Sequence, residues 1–187
     1  MGSKDLKILE NLKNGDASAY KTLFDEYYMP LSIYALKYCD SFQLAEDIVQ
    51  DLFIKFWDEE LYMKLEGAIS PYLFRSVKNN TLQVMKKQTK YRFEDIEDQV
   101  NKLIEDEKLD MTAIEDRKKK LFDEVESLPE KSKEVFKAIV LENMKYKEVA
   151  EQFNISVNTV KTHYSRALKQ LRNSLDVIIM LLLVKKK

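Results

Sequence analysis

The sequence predicts an all-α protein with two small helical domains joined by an acidic linker, the C-terminal domain containing a helix-turn-helix. Glycine and proline occur three times each in 187 residues, too few for the turns of a β-rich fold. Apolar side chains recur at three- and four-residue spacing in long stretches of the chain, which is the period of an amphipathic helix. Hydrophobic residues form 45% of the composition, enough to bury a core, and the length suits two small domains.

Charge is divided into blocks that the net value of −1 conceals. Residues 64–92 hold seven basic side chains and one acidic one, whereas residues 93–116 hold ten acidic side chains and two lysines. Such blocks predict two cationic faces joined by an acidic connector. Ordinary solvated helices explain the same charges equally well, so the blocks alone do not identify a partner.

The chain has one cysteine, Cys39, and no apolar signal region behind its first residues. One cysteine cannot form an internal disulfide, which fits a reducing compartment, so we expect a cytoplasmic protein. The sequence contains no glycine-rich phosphate loop, no metal-spaced set of histidine and cysteine, and no nucleophile beside a base. We therefore expect no enzyme activity, no cofactor and no metal.

Cap and breaker residues predict the order of the helices and the domain boundaries. A first helix is expected to end at Gly15, and Asp16 is expected to cap a second helix that Pro30 kinks or restarts. The next helix is predicted over roughly residues 43–58. The chain is then divided into three parts: a domain at residues 1–92, the acidic linker at residues 93–118, and a domain at residues 119–187.

A helix-turn-helix is predicted within residues 145–172. Asn154 can adopt the left-handed conformation that a tight turn requires, and Ser156 can cap the second helix. Small Ala150 allows the two helices to approach closely. The second helix turns hydrogen-bonding and cationic side chains outward within about 80° of arc: Asn158, Thr162, Ser165, Arg166 and Lys169. A helix lying in a DNA major groove needs such a face, although a plain helical hairpin with a polar surface remains the alternative.

A cationic helix is predicted to open with Ser70 as its N-cap and Pro71 as its first residue. No acidic residue occurs between Gly67 and Phe93. The outer face of this helix, again within about 80°, combines an aromatic ring, an amide and cations: Tyr72, Arg75, Asn79, Leu82, Lys86 and Lys90. Such a face suits nucleic acid with exposed bases, and the Gly67 loop beside it could form a pocket for an unstacked base.

The helix at residues 43–58 carries a polar stripe opposite its broad apolar face. The stripe consists of Asp47, Gln50, Asp51 and Asp58, with Ile54 at its centre. An apolar residue surrounded by acids is typical of a small protein-docking site. A single exposed isoleucine is also common on ordinary surfaces, so the stripe alone leaves both interpretations open.

Taken in order, these segments resemble the extracytoplasmic-function (ECF, group IV) sigma factors of bacterial RNA polymerase. The likeness extends over about residues 15–172 and is carried by GDASAYKTLFDEYY, AEDIVQDLFIKFW, ISPYLFRSVKNNTL, SLPEKSKEVFKAIVLENMKYKEVAEQFNIS and VNTVKTHYSRALKQLR. The order and separation of the patterns AED..Q..F...W and T.K....RA make it specific. The resemblance implies a transcription initiation factor that binds core RNA polymerase and promoter DNA, in a class that lacks a third folded domain.

The resemblance also implies roles for individual residues. The expected polymerase contacts, to the clamp coiled coil, are Asp47, Gln50 and Asp51, with Ile54 added from the stripe, and the flap is a further expected partner. The expected minus-ten contacts are Gly67, in the loop that captures a flipped base, with Tyr72, Arg75, Asn79, Lys86 and Lys90. The expected minus-thirty-five contacts are Ser156, Asn158, Thr159, Lys161, Thr162, Ser165, Arg166 and Lys169.

A stand-alone helix-turn-helix regulator is the alternative function. It would explain the second helix of the motif but neither the acidic helix nor the linker. The family resemblance also allows an anti-sigma factor as a partner. The apolar run at residues 177–184 would span about 12 Å as a helix, against about 30 Å for a bilayer core. We therefore expect no membrane span and predict that this run is buried, on its own domain or between the two domains.

Overall fold

A computed structural model describes residues 2–88 and 111–185 of the chain, with the side chains of residues 4–87 and 115–183. Every regular element in these ranges is helical, which confirms the predicted all-α class. Most of the predicted acidic linker, and Lys90 with it, lies outside the described residues.

The described residues form nine α-helices. The first four are α1 (Gly2–Lys13), α2 (Ala17–Ala35), α3 (Phe42–Asp58) and α4 (Ile69–Gln88). The other five are α5 (Met111–Glu126), α6 (Glu130–Phe136), α7 (Tyr146–Gln152), α8 (Val157–Gln170) and α9 (Leu175–Lys185). A π-helical turn, Lys137–Leu141, continues α6, and 3₁₀ turns at Leu61–Lys64 and Arg172–Ser174 precede α4 and α9.

The first helical unit is built around α2, which contacts α1, α3 and α4. Asp16 caps α2 as predicted, because its carboxylate accepts a hydrogen bond from the Ser18 amide at 2.8 Å. The core of this unit includes Leu23, Leu31, Phe53 and Leu73, all almost fully buried. Burial of each large apolar side chain stabilises the fold by roughly 1.5–3 kcal/mol.

Pro30 lies inside α2, which continues to Ala35, so the predicted restart does not occur; the alternative, a kink at Pro30, stays a prediction. The predicted N-cap of α4 is wrong. α4 begins at Ile69, so Ser70 lies within the first turn and is not the N-cap. The hydroxyl of Ser70 instead donates to the carboxylate of Asp5 on α1 at 2.6 Å, a contact that a local sequence pattern cannot show.

The second unit consists of α5 to α8. α5 begins at Met111, within the residues that the sequence assigned to the linker. α6 packs on α8, and α8 packs on α7. The core of the unit includes Leu121, Phe136, Val149, Tyr164 and Leu168, each 1% exposed or less.

The C-terminal helix α9 lies between the two units. It contacts α2 of the first unit as well as α5 and the π-helical turn of the second. Val177, Ile178, Ile179 and Leu182 are buried, and the other described side chains of residues 177–183 are half-buried. The predicted burial of residues 177–184 is therefore confirmed for four of the eight residues, and the side chain of Val184 lies outside the described ones. Ion pairs flank it: Lys37 with Asp176, and Arg172 with Asp40. No helix in the described ranges combines the length and apolarity needed to cross a membrane.

Candidate functional site

The α7–α8 pair has the geometry that the sequence predicts for a helix-turn-helix. Asn154 adopts a left-handed φ of 51° in the turn. Ser156 caps α8, because its hydroxyl oxygen accepts a hydrogen bond from the Thr159 amide at 3.0 Å. Asn158, Thr162, Arg166 and Lys169 are exposed on the outer side of α8, and Thr159 and Ser165 are half-buried. The outer face of α8 is therefore free to meet a partner.

A cationic cavity of about 300 Å³ extends the α8 face onto α6. Arg166 and Lys169 line it from α8, and Lys131 and Ser132 line it from α6. His163 also lines it, with its Nδ1 3.4 Å from the Ser132 hydroxyl. The sequence analysis did not predict the α6 residues, because the helix-turn-helix pattern places DNA contacts on its second helix and α6 lies before the motif. Lys131 and Lys133 beside Pro129 were the available signal.

The outer face of α4 is arranged largely as the sequence predicts. Arg75, Asn79 and Lys86 are exposed, whereas Leu73, Val77 and Thr81 are buried on the opposite side. Tyr72 is half-buried, with its ring 5.8 Å from that of Phe56 on α3. Gly67, in the loop before α4, has a φ of +113°, a backbone conformation that favours glycine.

The polar stripe of α3 is exposed to solvent. Asp47, Gln50 and Asp51 are exposed, and Ile54 at its centre is 57% exposed. The side-chain amide of Gln50 donates to the Tyr28 hydroxyl at 3.0 Å, which ties the stripe to α2. The stripe is therefore an exposed acidic surface with an apolar centre.

Comparison with known proteins identifies both helical units. Residues 23–91 match the family model for sigma-70 region 2, and residues 118–171 match that for sigma-70, region 4. The chain is 24% identical over 184 residues to the ECF RNA polymerase sigma-E factor of Haemophilus influenzae, an alignment spanning 94% of this chain and 97% of that protein. It is 24% identical over 178 residues to the ECF RNA polymerase sigma factor SigW of Bacillus subtilis, spanning 90% and 95%. This chain belongs to the ECF sigma factors.

As a sigma factor, the protein binds core RNA polymerase and promoter DNA and acts in transcription initiation; it is not an enzyme. The region-two match contains α3 and α4, and the region-four match contains the helix-turn-helix. Helix α1 lies before the residues that the region-two model matches.

Region two and region four of this sigma factor meet around the carboxylate of Glu46, which is fully buried. Lys161 of α8 donates to it at 2.9 Å, and the Tyr146 hydroxyl donates to it at 3.2 Å. The Tyr28 hydroxyl of region two donates at 3.1 Å. The structure thus places Lys161, expected to contact DNA, against the helix expected to contact polymerase.

Tyrosines surround this buried carboxylate. The ring of Tyr164 lies 5.4 Å from that of Phe42 at the start of α3, and 6.2 Å from that of Tyr146. Burial raises the pKa of the Tyr146 and Tyr164 hydroxyls far above the usual tyrosine value. Both hydroxyls therefore stay protonated, and that of Tyr146 acts as a hydrogen-bond donor to Glu46.

Proposed function

We propose that this sigma factor belongs to group IV and acts in the cytoplasm through regions two and four. Residues 92–117 separate the two matched regions. A separation of that length is below the roughly 40 residues that a domain usually needs to fold on its own, which supports the group IV assignment.

We propose that α3 docks on the coiled coil of the polymerase clamp, and that the flap is a further contact. The observation that carries this assignment is the exposed stripe of Asp47, Gln50 and Asp51 around Ile54. Solvent-exposed carboxylates favour a basic partner through electrostatic complementarity, and an exposed apolar centre adds area that gains free energy on burial. Neither feature serves the fold, since the opposite face of α3 supplies the core.

We propose that α4 and the Gly67 loop engage and open the minus-ten element. The exposed face of Arg75, Asn79 and Lys86 supports backbone and base contacts to separated strands. We propose that α8 reads the minus-thirty-five element as duplex, through Asn158, Thr162, Ser165 and Arg166, with Lys169 and the cationic cavity on phosphates. Control by an anti-sigma factor stays a prediction of the family resemblance.

Charge reversal on α3 tests the docking assignment. Asp51→Lys or Ile54→Asp is expected to weaken core polymerase binding at least several-fold, because each disrupts the exposed stripe without touching the core. Glu10→Lys is the matched control, since it changes the charge of an exposed residue on α1 of the same unit. Binding is measured by pull-down with core enzyme, and folding by circular dichroism. Unchanged core affinity in the α3 variants would refute the assignment.

A stand-alone regulator makes the opposite prediction. Such a protein would bind its duplex site tightly without polymerase, and the α3 substitutions would not alter transcription. Run-off transcription with core enzyme on promoter fragments distinguishes the two functions, because a sigma factor confers promoter-specific initiation on core polymerase.

A further inference from the structure

Asp5 of α1 is a buried acid, 2% exposed, at the start of the proposed melting helix. Its carboxylate accepts hydrogen bonds from the Tyr27 hydroxyl, from the Ser70 backbone N–H at 3.2 Å and from the Ser70 hydroxyl at 2.6 Å. A buried carboxylate requires such donors, because an unpaired one is strongly disfavoured. Two of the three bonds reach the first turn of α4, so α1 fixes the position at which α4 begins.

Lys13 makes a second contact between α1 and the same segment. Its ammonium donates to the carbonyl oxygen of Leu65 at 2.7 Å. Leu65 and Ser70 stand on either side of Gly67, and no atom beyond Gly67 and its two chain neighbours lies within 4 Å of the position that a Cβ on Gly67 would occupy. The turn at Gly67 is therefore open, and the contacts that Lys13 and Asp5 make on either side of it restrain where it lies.

We propose that Asp5 and Lys13 are positioning residues for promoter opening. They hold the Gly67 loop and the first turn of α4 in the arrangement that accepts an unstacked base. Neither residue lies within the region-two match, which begins at residue 23. Asp5 does not touch DNA in this role, because it is buried and its charge would repel phosphates. The proposal rests on the minus-ten role proposed for α4 and the Gly67 loop.

A matched pair of substitutions separates positioning from stability. Ser70→Ala and Tyr27→Phe each remove one hydroxyl that donates to Asp5, but only Ser70 belongs to α4. We expect both to lower the Tm of the full chain by similar amounts. With core polymerase on a linear promoter, Ser70→Ala and Asp5→Asn are expected to reduce permanganate-reactive open complex several-fold. Tyr27→Phe is expected to open the promoter as the wild type does.

Two further measurements complete the test: one removes the Lys13 contact, and the other uses a pre-melted promoter. Lys13→Met is expected to reduce the amount of open complex as Ser70→Ala does, because it removes the hydrogen bond to Leu65 on the other side of the Gly67 loop. A pre-melted promoter is expected to restore transcription in all the affected variants, and core binding is expected to stay unchanged. Normal opening by Ser70→Ala and Asp5→Asn, or an equal loss in Tyr27→Phe, would overturn the positioning role.

Failure of this proposal can be distinguished from failure of the proposed function. Asn79→Ala and Gly67→Ala alter the proposed opening surface directly, the second because alanine is strained at a φ of +113°. If both open the promoter normally, the minus-ten assignment of α4 fails, and the positioning proposal fails with it. If both are impaired while Asp5→Asn and Ser70→Ala are not, the positioning proposal alone is overturned.

Discussion

The hydroxyl of Tyr164 is buried between regions two and four and has no hydrogen-bond partner among the described residues. Leaving a buried hydroxyl unpaired costs about 1–3 kcal/mol. Tyr164→Phe removes the hydroxyl and keeps the ring that packs on Phe42. We therefore expect this substitution to raise the free energy of unfolding by up to about 1 kcal/mol, measured by urea denaturation of the full chain.

Tyr146 offers a matched control at the same interface. Its hydroxyl donates to Glu46 at 3.2 Å, so Tyr146→Phe removes one of the hydrogen bonds to a buried carboxylate. This substitution is expected to lower the free energy of unfolding. If Tyr164→Phe destabilises the chain as much as Tyr146→Phe does, the Tyr164 hydroxyl is satisfied in solution and the prediction is wrong.

At the scale of single residues, the sequence predicted short-range contacts and missed long-range ones. Ser156 caps α8 through an amide three positions along the chain, and such a cap can be recognised from residue type and spacing. Asp5 and Ser70 are 65 positions apart, and Glu46 and Lys161 are 115 positions apart. Neither pairing leaves a local pattern in the sequence. Ser70 was therefore predicted as an N-cap, whereas its hydroxyl bonds to the distant carboxylate of Asp5.

Among the helices, those with clear caps were predicted best. The helix expected at residues 43–58 is observed at Phe42–Asp58, with the Ser41 hydroxyl accepting from an amide in its first turn. The π-helical turn at Lys137–Leu141 and the 3₁₀ turn at Arg172–Ser174 were not predicted. Neither contains glycine or proline, so no breaker residue marks them in the sequence.

The proposed functions of α4 and α8 predict different defects. Arg166→Ala removes an exposed cation from the duplex-reading face, so we expect weaker binding of the holoenzyme upstream, on linear and pre-melted promoters alike. Asn79→Ala removes an exposed amide from the opening face, so we expect normal upstream protection with less strand separation. Permanganate footprinting measures opening, and nuclease protection measures upstream binding.

A pre-melted promoter provides the decisive comparison between these two helices. It supplies separated strands, so it is expected to rescue Asn79→Ala and to leave Arg166→Ala impaired. Equal rescue of both variants would show that strand opening and duplex reading are not separate roles of α4 and α8. Glu151→Ala, at an exposed position on α7, serves as a surface control.

For the whole molecule, the roles proposed for α4 and α8 require regions two and four to move apart from the packing seen in the free chain. The minus-ten and minus-thirty-five elements lie about 25 base pairs apart, or roughly 85 Å at ~3.4 Å per base pair. A compact chain of 187 residues has a radius of gyration of roughly 16 Å. If α4 and α8 engage these two elements as proposed, the two regions separate first, which breaks the contact between Glu46 and Lys161.

This separation yields a prediction for the free protein. Glu46→Lys places a cation against Lys161, where a fully buried carboxylate now accepts its hydrogen bond. Like charges at this distance repel, so we expect the two regions to separate and the radius of gyration measured by small-angle X-ray scattering to rise. Release of Lys161 is expected to strengthen binding to a minus-thirty-five duplex in the absence of polymerase, measured by fluorescence anisotropy.

The added positive charge of Glu46→Lys would itself favour DNA, so the control must carry the same change of charge. Glu10→Lys does so at an exposed position on α1, remote in sequence from the region-four match. We expect it to increase duplex affinity slightly, through general electrostatics, without altering the radius of gyration. If Glu46→Lys stays as compact as the wild type, or gains no more duplex affinity than Glu10→Lys, the Glu46 contact does not hold the free chain closed. Separation would then depend on α9, which contacts α2 of the first unit as well as α5 and the π-helical turn of the second.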